Sequence, residues 1–284
     1  MAVAFRALRA RGAPRLTQAR VRPSRPHFIG YRFSSSYSDP GPPNPPFLFR
    51  ALVLSALGLG YFMLGSSIPL YSAREVLKEL MEPPTDEETL ALFEPQTDEQ
   101  RKIDEHILNH PLAIELNAKE GIKRSRPHMK VPQAYKRHNF AGGTLAGPGR
   151  IETPPWVWET PGENLVSILY LGKDLCGHPG IIHGGLLATM LDEGLARCCF
   201  QALPAKMGMT ANIKVDYRAP AMADRYYVLR AETTKVDGRK AWVTGRIETL
   251  PEPGEKPVVV TEGTALFVSP KQANFLQTIF PSAK

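Results

Sequence analysis

Cys176-Gly177-His178-Pro179-Gly180-Ile181-Ile182-His183-Gly184-Gly185-Leu186-Leu187-Ala188-Thr189-Met190-Leu191-Asp192-Glu193 is the stretch on which the reading of this chain turns. A glycine-rich turn opens into an apolar run, and Gly180 to about Ala202 reads as one long helix. Leu186, Leu187, Met190, Leu191, Leu195, Ala196 and Phe200 make it apolar on nearly every side, so it is expected to be buried. Just upstream, Leu165–Leu171 is a short apolar run that suits a buried strand. Downstream the period changes to two: Ile213, Val215 and Tyr217 alternate with Lys214, Asp216 and Arg218. Tyr226–Lys235 and Lys240–Thr249 flank Val236-Asp237-Gly238-Arg239, and Asp-Gly is a strong hairpin signal. Val258–Val268 supplies a last strand. One strand, one helix and about four further strands give an α+β fold, an antiparallel sheet wrapped around a single helix.

The same stretch carries the chemistry. Unpaired N–H groups at a helix start, with the positive end of the helix dipole, favour an oxygen that gains negative charge. Gly184 and Gly185 let such an oxygen approach the backbone, and donors of this kind lower a barrier by about 3–4 kcal/mol. Further along, Asp192 and Glu193 put carboxylates on a helix expected to be buried. That is costly unless the charge is paired or used. One of the two is a candidate base for activating water; the structural alternative is a carboxylate tied to an arginine or to backbone. Gly184 and Asp192 are eight residues apart, about 12 Å along a helix. One reacting carbonyl cannot touch both, so if both act they are expected to come from different subunits.

Taken together, these residues resemble the hotdog thioesterase superfamily. The match rests on His183-Gly184-Gly185 through Ala188-Thr189-Met190-Leu191-Asp192. It is extended by Gly208-Met209-Thr210-Ala211-Asn212, Asp216-Tyr217-Arg218-Ala219-Pro220 and Lys235-Val236-Asp237-Gly238-Arg239-Lys240. The likeness is greatest to the mitochondrial acyl-CoA thioesterases of the THEM type and their uncharacterised fungal relatives. The resemblance implies that Gly184 polarises a thioester carbonyl, that Asp192 orients or activates water, and that Thr210 assists that water. It implies that His183 shapes the turn near the thioester, and that Asp216, Arg218, Arg239 and Lys240 lie where coenzyme A could bind. For Arg239 and Lys240 a solvated hairpin end is an equal alternative. Glu193 beside Asp192 departs from the pattern and leaves open which carboxylate faces the substrate. The implied reaction is hydrolysis of medium- to long-chain acyl-CoA in a homodimer or higher homo-oligomer, with no metal or redox cofactor. Two rivals are a hydratase on the same fold and a non-catalytic, membrane-anchored module that binds acyl-CoA or a protein partner.

Other candidate chemistry is weaker. Cys176, Cys198 and Cys199 form no C-x-x-C pair, disulfide framework or zinc spacing, and Cys198 and Cys199 read as core. His178 and His183 alone are too few for zinc. Pro111 breaks the helical spacing of His106, His110 and Glu115. Ser167 and Thr189 lack a serine-hydrolase elbow.

The net charge is +7, but residues 1–38 hold eight arginines and no lysine or acid, which leaves the rest of the chain at −1. That distribution removes a broad basic face and with it a nucleic-acid partner. The arginine-, alanine- and serine-rich stretch 1–38 has the composition of a mitochondrial transit peptide. A proline-rich linker follows at 39–46. Residues 51–73 are 23 positions without a charge, about 34 Å as a helix, enough to cross a bilayer. The expected organisation is therefore a transit peptide (1–38), a linker (39–46), a transmembrane helix (47–72), a helical and loop-rich extension (73–160), the hotdog domain (161–270) and a tail (271–284). The expected location is the mitochondrion, single-pass in the inner membrane. Residues 72–110 read as acidic, mostly helical and solvated.

Overall fold

The computed structural model describes residues 46–271. The expected transit peptide, the linker up to residue 45 and the tail beyond 271 lie outside the described residues. The first element, α1 (Phe47–Met81), is one 35-residue helix. Its Phe47–Gly65 segment is long and apolar enough to cross a membrane, with mean hydropathy 1.9. Phe47, Leu52, Leu54 and Phe62 are exposed on it.

Three short helices follow: α2 (Asp86–Ala91), α3 (Asp98–Asn109) and α4 (Pro111–Ala118). Thr85 caps α2 and pairs with Glu88 in a capping box, and Thr97 caps α3. Pro111 opens α4, where a missing N–H costs nothing. Then come β1 (Lys123–Ser125), a single 3-10 turn at Pro127–Lys130, and α5 (Gln133–Lys136). The hotdog elements are β2 (Trp156–Thr160), β3 (Asn164–Leu171), β4 (Cys176–His178), β5 (Ile181–Ile182), α6 (Gly184–Phe200), β6 (Met209–Tyr217), β7 (Arg225–Asp237), β8 (Lys240–Thr249) and β9 (Val259–Val268).

Seven strands form one antiparallel sheet in the order β1-β2-β3-β7-β8-β9-β6. Helix α6 packs on one face of it, against β3, β6, β7, β8 and β9. This is the expected hotdog arrangement. Leu186, Leu187, Met190, Leu191 and Leu195 of α6 meet Leu165, Leu169, Leu229, Val243, Ala265 and Phe267 of the sheet. Each such side chain taken from water contributes about 1.5–3 kcal/mol.

The structure departs from the sequence reading in three places. The long helix begins at Gly184, not Gly180, because Cys176–His178 and Ile181–Ile182 pair as a small ribbon. Gly180 turns that ribbon at φ +74, a conformation no right-handed helix contains. The sheet also starts well before residue 161: β1 and β2 precede that boundary, and β2 forms a hairpin with β3. Finally, the stretch expected to be solvated contributes a second core. Ile103 and Ile107 of α3, joined by Ala113 and Leu116 of α4 just beyond that stretch, cover the other face of the sheet, over Trp156, Trp158, Ile168 and Val228. Both faces of β3 are therefore buried, which is why it reads as an unbroken apolar run.

Candidate functional site

His183 sets the start of α6. Its Nδ1 accepts the Gly185 N–H at 2.9 Å, and its own N–H donates to the Leu175 carbonyl at 2.9 Å. The bond to Nδ1 assigns the ring proton of the neutral imidazole to Nε2. Gly177 makes room for the ring, since a Cβ there would lie 2.9 Å from His183 Cδ2. The next peptide is held from its other end, where the Tyr217 hydroxyl donates to the Gly184 carbonyl at 2.8 Å. The Gly184–Gly185 peptide is thus pinned through both its oxygen and its nitrogen. Leu186 donates to the His183 carbonyl at 2.9 Å. Among the described residues the Gly184 N–H meets no acceptor, so of the two glycines it is the one with a donor to offer.

The second half of the site lies two turns along the helix. Thr210 Oγ1 donates to Asp192 Oδ1 at 2.8 Å. A regular strand that turns Ile213, Val215 and Tyr217 toward the helix would turn Thr210 away. The register between β6 and β9 shifts between Thr210 and Asn212, and this bulge at Ala211 puts Thr210 back on the helix side. The two carboxylates separate here. Asp192 points to Thr210, while Glu193, 48% exposed, approaches His128 Nε2 at 3.6 Å. Asp192 itself is only half-buried. The expectation of a helix buried on nearly every side is corrected: the face carrying Asp192, Glu193 and Ala196 opens into a cleft.

That cleft has a volume of about 730 Å³ and runs between α6 and the sheet. Leu165, Leu169, Met190, Phe200 and Leu229 give it apolar walls, and Asp192 and Thr210 stand at one part of its rim. Elsewhere the lining is ionic. Arg197 bonds Glu159 at 2.8 Å, Ser125 at 3.0 Å and Asp86 at 3.2 Å, and Lys130 bonds Asp86 at 2.9 Å. Burial holds the Glu159 carboxyl above its ordinary value despite Arg197. For Asp86 burial also raises the pKa, but Lys130 and Arg197 outweigh it and the net shift is downward.

The four positions matched to coenzyme A do not converge within one chain. Asp216 and Arg218 lie at the Tyr217 end of β6, where Arg218 is bonded to Glu262 and Asp216 to Lys214 at 3.0 Å. Arg239 and Lys240 lie at the opposite end of the sheet, where Lys240 pairs with Val268 and Met209 pairs with the same residue. Arg239 donates to the Ser269 carbonyl at 2.6 Å. Gly184 thus shares an end with Asp216 and Arg218, and Asp192 shares an end with Arg239 and Lys240.

Sequence reading quotes Tyr217 only as part of a pattern and does not pick out His128 or Arg197. Tyr217 has a usable signal, since its alternation with Ile213 and Val215 aims it at the helix. His128 comes from a distant turn and has none. Burial pushes the Cys198 thiol up to about 11 and the Cys199 thiol up to about 12, as suits core residues. Among the described residues no group of three or more His, Cys, Asp or Glu side chains could hold a metal ion.

Residues 179–254 match the family model described as thioesterase superfamily. A UPF0644 protein of Schizosaccharomyces pombe is 31% identical over 191 residues, covering 65% of this chain and 73% of its own. A Candida albicans protein named as uncharacterised and mitochondrial is 35% identical, covering 53% of this chain and 68% of its own. The mouse acyl-coenzyme A thioesterase THEM4 is 34% identical over 103 residues, covering 36% of this chain and 42% of its own.

Proposed function

The chain belongs to the thioesterase superfamily, and we propose that it hydrolyses acyl-CoA to a free acid and coenzyme A by direct attack of water. The observation that carries this reading is the Thr210–Asp192 hydrogen bond at the rim of a cleft that has an apolar wall. Thr210 fixes one oxygen of the carboxylate and leaves the other to hold a water. Asp192 takes a proton from that water as its oxygen attacks the thioester carbon. The carbonyl oxygen, now an oxyanion, is held by the Gly184 N–H at the start of α6. The tetrahedral intermediate collapses, the carbon–sulfur bond breaks, and the proton on Asp192 passes to the departing thiolate.

Gly184 and Asp192 cannot serve one thioester within a single subunit. They lie about 12 Å apart along the helix. Their partners on β6, Tyr217 and Thr210, are seven residues apart, about 23 Å along a strand. We therefore place each site across the interface of a homodimer, with Gly184 from one subunit and Asp192 from its partner. The same pairing brings Asp216 and Arg218 of one subunit toward Arg239 and Lys240 of the other, where coenzyme A would lie.

The mitochondrial relative and the arginine-rich, acid-free stretch 1–38 support a mitochondrial location. The Phe47–Gly65 segment is long and apolar enough to serve as a single-pass anchor, which we place in the inner membrane. The test is release of coenzyme A from a panel of acyl-CoAs by the parent and by Asp192→Asn. Hydrolysis that falls about 100-fold or more in the variant, with oligomeric state unchanged, supports Asp192 as base. Binding of acyl-CoA without hydrolysis at any chain length would replace the enzyme with a binding module.

A further inference from the structure

We propose that His128 is a removable partition in the acyl cleft and sets the length of acyl chain that the site accepts. The inference rests on the acyl-CoA reading above. Two clefts meet at this residue. One is the α6 cleft that contains Asp192. The other has a volume of about 690 Å³, and its apolar lining comes from Phe93, Met129, Ala134, Ala146, Ile151 and Pro154. Among the described residues, His128 is the lining residue the two clefts share.

The turn that carries His128 is rigid. Arg126 is almost fully buried and grips Asp104 through two bonds of 2.5 and 2.6 Å. Its guanidinium also stacks over Trp156, 3.9 Å from the ring centre. The Met129 N–H donates to the Arg126 carbonyl at 2.9 Å, which closes the turn. On the other side His128 packs on Gly142, where an added Cβ would lie 3.4 Å from His128 Cβ.

The imidazole beyond that Cβ is not anchored in the same way. The side chain is 15% exposed, and Nδ1 is buried without a hydrogen-bond partner among the described residues. Nε2 lies 3.6 Å from Glu193, too far for a hydrogen bond. Buried polar groups in folded proteins nearly always have partners. With Nδ1 unpartnered and only the longer approach of Nε2 to Glu193, the ring is placed chiefly by the space it fills, and that space lies between the two clefts it lines. An acyl chain that starts at Asp192 runs along the apolar wall of the first cleft and stops at the ring. With the ring gone, the second cleft continues the path for several methylenes.

The experiment measures kcat/KM and Kd for a saturated acyl-CoA series from short to long chains, using the full-length protein. Compared with the parent are His128→Ala, His128→Asn, His128→Phe and the double variant His128→Ala/Ala134→Trp. Ala134 is exposed and lines the second cleft, so its replacement leaves the core alone. His128→Ala is expected to move the upper cut-off to longer chains, with a gain of about fourfold for each methylene that enters. Short chains should be unaffected. His128→Asn moves the cut-off the same way, which covers the case in which the alanine variant does not fold. His128→Phe keeps the parent cut-off, and in the double variant the indole introduced by Ala134→Trp cancels the gain. Identical cut-offs in the parent, His128→Ala and His128→Asn overturn the partition while hydrolysis by the parent upholds the acyl-CoA reading. A parent that neither binds nor hydrolyses any acyl-CoA removes both. If the parent binds without hydrolysing, the Kd series decides the partition alone.

Discussion

If each site takes Gly184 from one subunit and Asp192 from its partner, two inactive variants should repair one another. The first is Gly184→Val. A Cβ at Gly184 would lie 3.2–3.3 Å from the Tyr217 ring and 3.4 Å from its hydroxyl, so branched methyl groups must displace that ring or project over the Gly184 N–H. Either change removes the oxyanion position. The second is Asp192→Asn, which keeps the shape and the contact to Thr210 but not the base. In a mixed dimer one site combines both lesions and the other combines an intact Gly184 with an intact Asp192. Equal amounts exchanged at random give half mixed dimers, each with one good site of two, so about one quarter of parental activity should return. Each variant alone is expected to be down about 100-fold or more. The assay is coenzyme A release before and after mild denaturant or detergent exchange, with two affinity tags to count the mixed species. Exchange proven by the tags with no recovered activity would refute the shared site and leave Gly184 and Asp192 to act, if at all, within one chain.

Three further outcomes follow from single contacts. Tyr217→Phe removes one hydrogen bond of about 0.5–1.5 kcal/mol from the Gly184 carbonyl and should lower kcat by about two- to tenfold with KM unchanged; an unchanged kcat would show that pinning the Gly184–Gly185 peptide does not matter to the oxyanion. Alkylation of the native protein at neutral pH should mark Cys176, which is partly exposed, and spare Cys198 and Cys199, whose thiols burial holds near 11 and 12. Peptide masses read this directly, and equal labelling of all three before unfolding would show that the α6 core opens. Glu248 is buried between Arg230 and Arg246, each at 2.7 Å, and the net effect of burial and the two arginines is a carboxyl held below its ordinary 4.5. A depressed pKa stabilises the fold above the unfolded value and loses that contribution as pH falls. Glu248→Gln should therefore cost about 2 kcal/mol at neutral pH in urea titrations, with the gap closing as pH drops below 4.5; a gap independent of pH would contradict the assignment.

The parts of the fold that local pattern dictates are legible in the chain. Asp237-Gly238 marks the β7–β8 hairpin, and Gly238 takes up the positive φ, +56, that such a turn uses. The alternation in 212–218 marks β6. What escapes the sequence is set by distant packing. Trp156-Val157-Trp158 is apolar at three successive positions and does not alternate, and Pro154-Pro155 before it and Pro161-Gly162 after it read as loop. Only the helices α3 and α4, laid over its two tryptophans, explain why both faces of so short a strand are apolar. The start of α6 is misplaced by pattern because apolar periodicity runs through Ile181-Ile182 without a break, and the conformation of Gly180 that turns the ribbon leaves no mark in hydropathy. Thr210 is reached by resemblance alone. Its orientation depends on a bulge at Ala211 that no alternation count reveals, since counting from Ile213 places it on the wrong face.

The misreading of α6 is the instructive one. A helix with Leu186, Leu187, Met190, Leu191 and Leu195 looks buried on every side, and a buried carboxylate on it looks like a cost that only catalysis or an ion pair could offset. In the structure those five residues do face the sheet. Asp192, Glu193 and Ala196 fall on the remaining arc, which opens into the cleft and which the sheet meets through Thr210, and there a half-buried carboxylate needs no ion pair to be tolerated. The case for catalysis therefore shifts from burial to placement. Asp192 is oriented by Thr210, the bulge that delivers Thr210 costs β6 a regular ladder, and the apolar cleft opens beside the pair. A purely structural helix surface requires none of the three. Within one subunit the Gly184 N–H is pointed at nothing the described residues supply, two turns from the carboxylate that would complete its chemistry. In the dimer we propose, a second copy related by a twofold axis would answer both deficits with the same contact.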